Sequence, residues 1–96
     1  MIVVSVFVHQ VDTEVHTTVP PGWRWAVHLG RDPVNMDACL NAGWSPNQRD
    51  AEFEGEKVSV AVVKALRMCG IVCEWAPGQV LDRDPIPPQG DRLQVM

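Results

Sequence analysis

The chain has no tyrosine, two phenylalanines and three cysteines in 96 residues. The cysteines, Cys39, Cys69 and Cys73, are an odd number without framework spacing. That pattern fits a reducing cytoplasm better than a secreted, disulfide-stapled scaffold, and a cytoplasmic location is expected. Basic residues are also few: eight Lys and Arg stand against twelve Asp and Glu, for a formal charge of −4, and they are scattered. The electrostatic footprint that phosphate backbones or anionic bilayers require is missing, which disfavours nucleic acid and membrane surfaces as partners. No apolar run approaches the roughly 20 residues that span a bilayer. The apolar segment Ile2 to Val8 has neither a positive flank before it nor a small-residue cleavage site after it, so it reads as a strand rather than a targeting signal.

Catalytic and metal signatures are absent as well. Cys69 and Cys73 with His9, His16 and His28 supply the ligand types that zinc prefers, but Gly70 falls between a helix-closing Cys69 and a strand Cys73, so the two thiols need not converge. A Cys–His nucleophile built from Cys39 or Cys73 with His28 lacks an activating helix N-terminus. The carboxylates Glu52, Glu54 and Glu56 read as a solvated helix face, and Asp82 with Asp84 as a loop turn. The expectation is a non-enzymatic protein with no metal and no cofactor.

The strongest positive signal is one long helix from Ser45 to Gly70. Ser45 is expected as N-cap, Pro46 at the first helical position and Gln48 in a capping box, with Gly70 as the left-handed stop. Ala51, Gly55, Val58, Val62, Ala65, Leu66 and Cys69 recur at helical spacing, while Arg49, Glu52, Glu56, Lys64 and Arg67 fall largely opposite. Gly55 is expected where the helix approaches the sheet or an indole too closely for a Cβ.

The remaining periodicity is that of strands. Ile2 to His9 is apolar on both faces and reads as a central strand. Val11 to Val19 alternates strictly and reads as a half-exposed strand or hairpin arm, ended by Pro20-Pro21-Gly22. Trp23, Trp25, Val27 and Leu29 alternate with Arg24, Ala26 and His28 in the clearest amphipathic strand. Met36 to Trp44 is ambiguous between a helical turn and an edge strand, and Ile71 to Trp75 reads as a last strand. From Ala76 prolines replace periodicity, with Val80, Leu81 and Ile86 available to pin the segment to the body. One domain over residues 1–86 and a flexible tail over 87–96 are expected.

These elements predict a two-layer α+β domain, an antiparallel sheet of about three to five strands packed on one long helix (45–70). Four tryptophans must then be placed, either as core bulk or as partner anchors. Trp23, Arg24, Trp25 and His28 are the candidate partner-binding residues. Another protein is the expected partner, with a homodimer as a further option.

The stretches PPGWRWAVHLG, CLNAGW and GEKVSVAVVKALRMCG resemble those of small orphan proteins of actinobacteria and their phages. That resemblance implies a cytoplasmic accessory protein of unestablished activity, cellular or phage-encoded; for a phage gene the expected partner is a host protein. Separately, strands followed by a capped helix and a further strand resemble the HicB-type antitoxin layout. That would imply a toxin-neutralising or regulatory partner, although the Pro20-Pro21 turn and the lack of an appended basic segment depart from the pattern.

Overall fold

The computed structural model describes residues 1–14, 17–82 and 85. In order it contains β1 (Ile2–Gln10), β2 (Trp23–Leu29), a 3₁₀ turn at Met36–Ala38, β3 (Cys39–Ser45), α1 (Gln48–Met68), β4 (Cys73–Trp75) and β5 (Gln79–Val80). The ambiguous segment before the helix thus holds both the helical turn and the edge strand. The strands form one sheet in the order β3-β2-β1-β4, with β5 also on β1, and α1 packs against one face. This is the expected two-layer α+β arrangement.

The sheet is mixed. β1, β2 and β3 form an antiparallel meander, whereas β4 and β5 run parallel to β1. The helix supplies the reason: it carries the chain from one edge across the face to the other, and such a crossover delivers a parallel strand, which no short turn can do. β1 lies between neighbours on both sides and is buried on both faces. Val4, Val6 and Val8 join the core with Trp25, Val27, Ala51, Val63 and Cys73, while Ser5, Phe7 and His9 are buried on the other side.

The alternating segment after β1 forms no strand among its described residues, 11–14 and 17–19, and the rest of that expectation lies outside them. Val11 is buried and its N–H donates to the Gly22 carbonyl (2.8 Å), which closes the hairpin. The Asp12 carboxylate accepts from the Glu14 N–H (3.0 Å), a local turn that competes with extended pairing. Pro20 and Pro21 have no N–H to give a ladder.

The helix also begins later than the capping pattern predicts. Ser45 is the buried last residue of β3, and Asn47 is the N-cap, its side chain accepting from the Asp50 N–H (2.9 Å). Asn47 Nδ2 in turn donates to the Asp50 carboxylate (3.1 Å), so the cap forms two residues further on and is closed by a bond between side chains. The C-terminus stops at Gly70, whose φ is +78°. Its N–H donates to the Arg67 carbonyl and that of Ile71 to the Leu66 carbonyl, both at 3.0 Å, closing the helix as a Schellman motif.

The buried stripe of α1 is Ala51, Gly55, Ser59 and Val63, flanked by half-buried Val58, Val62 and Leu66. Ser59 and Val63 replace the expected Ala65 and Cys69, which are exposed. Ser59 escapes an apolar pattern because its hydroxyl donates locally, to the Glu56 carbonyl (2.7 Å). The 87–96 tail lies outside the described residues, as does Ile86; Val80 pairs with Val8, and the Leu81 N–H donates to the Val8 carbonyl (2.8 Å).

Gly55 sits where a Cβ would come within 2.7 Å of Val6 Cγ1 and 3.3 Å of Trp25 Cβ. Helix propensity alone favours alanine there by about 1 kcal/mol, but inserting a methyl into a packed core costs about 1–3 kcal/mol. Gly55→Ala is therefore expected to lower the urea midpoint. A raised midpoint would show that the helix can lift from the sheet.

Candidate interaction surface

Alternation along β2 sends Trp23, Trp25, Val27 and Leu29 toward α1 and leaves Arg24, Ala26 and His28 on the opposite face. Trp25 is only 8% exposed. Its indole crosses Gly43, where a Cβ would lie 2.5 Å from the ring, and it reaches Gly55 on the helix. Trp23 is half-buried beside this core. His28 is 1% exposed, with its ring set edge-on to Phe7 at 5.3 Å and 88°. Arg24 is half-buried, in register with Trp44 on one side and His9 on the other. The four candidate residues thus form no single surface: Trp25 and His28 are interior, and Trp23 and Arg24 keep partial exposure on opposite faces.

The other two tryptophans are the open ones. Trp44 is 43% and Trp75 is 39% exposed. Each has its indole N–H fixed, Trp44 donating to the Pro20 carbonyl (3.2 Å) and Trp75 to the Ser59 hydroxyl (2.8 Å). Their polar edges are anchored while apolar ring surface stays in water, the amphipathic presentation common at protein interfaces. Trp75 borders a cleft with Glu52, Glu56 and Gly78. On the far side, Phe53 stands 63% exposed beside Asp50 and Glu54, over a shallow pocket that reaches Trp25 and Gly43.

Trp44 belongs to β3, which forms one edge of the sheet. Opposite Val27, Trp25 and Trp23, β3 places Asn41, Gly43 and Ser45 on the helix side, so Ala42 and Trp44 fall on the outer face, while Leu40 is the extra residue of a β-bulge between Asn41, paired with Val27, and Cys39, paired with His28. Leu40, Ala42 and Trp44 are exposed. The Ala42 N–H is accepted by Asn41 Oδ1 (2.9 Å), a side chain standing in for a strand neighbour. β3 carries no charged residue and no proline. The opposite edge differs: β4 has three residues including Glu74, β5 has two, and Pro77 lies between them. Charge, proline and brevity are usual protections of a strand edge, and β3 has none of these; what interrupts it is the bulge at Leu40, toward its start. Leu40, Ala42 and Phe53 were not singled out from the sequence, and Trp44 only as one of four tryptophans available as core bulk or anchor. The available signal was seven consecutive uncharged residues, Cys39 to Ser45, which apolar periodicity does not register.

Among the described residues no group of three or more His, Cys, Asp or Glu side chains gathers as metal ligands would. The three thiols are free: Cys39 is half-buried, Cys69 exposed at the helix end, and Cys73 buried with its Sγ 3.9 Å from the Val63 carbonyl. His16 lies outside the described residues. No described helix is long and apolar enough to cross a membrane. No family model, curated protein or solved structure matches the chain.

The outer face of the sheet also holds a perturbed imidazole. Burial pushes the His28 imidazole below its ordinary value of 6.5, with a hydrogen bond to the Asp32 main chain and the charge of Asp32 acting weakly in the other direction. Its Nδ1 has no hydrogen-bond partner among the described residues. The lowered value fixes the sign of the linkage: below about pH 6.5 the unfolded chain takes up a proton that the folded chain refuses, so stability falls with pH until the folded value is reached. Melting temperature is expected to drop between about pH 7.5 and about pH 5.5, and His28→Asn should flatten the dependence. Equal slopes for both proteins would show that His28 titrates normally in the fold.

Proposed function

We propose that the chain is a non-enzymatic protein-interaction module acting in the cytoplasm and engaging its partner through the β3 edge. The observation that carries this reading is the exposed, charge-free edge strand with Ala42 and Trp44 on its outer face and exposed Leu40 at its bulge. Such an edge offers main-chain groups for strand addition, which supplies affinity, and alternate side chains, which supply specificity. Trp44 and the nearby Phe53 add apolar surface of the kind that dominates interface energetics. The resemblance to small proteins of actinobacteria and their phages would make a host protein one such partner.

A HicB-like antitoxin or regulatory partner is the second reading. It is favoured by the element order of three strands, a capped helix and a further strand. Co-purification with the product of an adjacent gene, and loss of that product's growth toxicity, would support this reading over the first.

The edge reading is tested with Leu40→Glu. Leu40 is 47% exposed, so the substitution should shift folding stability by no more than about 0.5 kcal/mol, as surface changes generally do. Affinity capture from native extract followed by mass spectrometry should then show partners retained by the wild type and lost by the variant. Identical capture by both proteins would remove the edge from the interaction.

A further inference from the structure

Resting on that reading, the geometry of the edge allows its occupant to be named. We infer that β3 pairs with β3 of a second copy of this chain, antiparallel, about a two-fold axis at Ala42.

Three features lead to this occupant. The first is the direction of the main chain. The Ala42 N–H is taken by the Asn41 side chain and not by β2, so Ala42 turns its main-chain groups outward. Placing the axis at Ala42 makes it a hydrogen-bonded pair with its own copy, the Asn41 amide giving way to the carbonyl of the second strand. The second is side-chain complementarity. With Ala42 on the axis, the bulge residue Leu40 of each copy comes level with Trp44 of the other, and both residues are large, apolar and nearly half exposed. Apolar contact across the paired strands is favourable, and alanine at the centre leaves room for it. An edge that matches itself under rotation is what an isologous contact requires.

The third feature is charge. Two copies of formal charge −4 repel one another over most of their surfaces. Cys39 to Ser45 contains no ionisable group other than the thiol of Cys39, so contact here brings no like charges together within the strands. Glu74 in β4 would face its own copy in an equivalent contact at the other edge. An unrelated extended segment could use the same main-chain groups, and the experiment separates it from a second copy.

The mass of the full chain is measured by light scattering and sedimentation over a wide concentration range. The wild type should reach twice the chain mass of 10.7 kDa. Ala42→Lys, which sets two ammonium groups against each other at the axis, should raise the dimer dissociation constant at least tenfold while leaving the far-ultraviolet circular dichroism unchanged. Should that variant fail to fold, Ala42→Cys in a chain carrying Cys39→Ser and Cys69→Ser provides the second measurement. Its paired Cα atoms would stand about 5.5 Å apart, within disulfide reach, and mild oxidation should yield a covalent dimer. A wild type that stays monomeric, or a dimer indifferent to Ala42→Lys and refusing the cross-link, overturns the inference. A monomer that still captures another protein in a Leu40-dependent way overturns the self-pairing alone and leaves the interaction reading standing. A monomer whose captures ignore Leu40→Glu overturns both.

Discussion

The position of the Trp25 indole is the constraint on which the helix side of this protein depends. The ring lies across β3 at Gly43 and against α1 at Gly55, and a Cβ at either glycine would enter it or the adjoining Val6. Bulk from one strand is thus accommodated by two residues that contribute none. This lets α1 approach the sheet closely enough for Ala51, Ser59 and Val63 to be buried beneath it. Close packing of that kind tolerates neither a void nor an added methyl well, so the separation of the two layers is set at one place and followed elsewhere.

The same arrangement explains which parts of the fold were legible in the sequence. The long helix, its glycine stop, the central β1 and the amphipathic β2 were readable because each follows a period that burial imposes. The close approach at Gly55 was readable because a glycine inside a strong helix needs a reason. What escaped was decided by hydrogen bonds and not by hydrophobicity. Asn47 displaced Ser45 as the cap because β3 had already claimed Ser45. Ser59 entered the core with its hydroxyl bonded to the Glu56 carbonyl, and the alternation after Val11 was interrupted by an Asp12 turn. The direction of β4 and β5 was not readable from local pattern, since it depends on where the helix sets the chain down.

The candidate site was less legible than the fold, for a related reason. Alternation correctly separates Trp23 and Trp25 from Arg24 and His28, but it does not say which face is covered. The face opposite the helix is itself largely buried along β1 and at His28, so a residue opposite the core is not thereby exposed. Exposure here follows position in the sheet order. β3, the strand with the least distinctive pattern, ends up at the edge and presents two large apolar side chains.

The contrast between the two edges gives the final step. The helix crossover places short, interrupted strands beside β1, with Glu74 and Pro77 among them, and so that edge is difficult to extend. β3, at the start of the crossover, must stay slim on its helix side because Gly43 has to admit the Trp25 ring. A glycine there leaves β3 without a side chain on its helix side at the centre, so the bulk the strand carries there, Trp44, stands on the outer face beside unpaired edge main chain. Seating the indole and presenting an open edge thus meet in one strand.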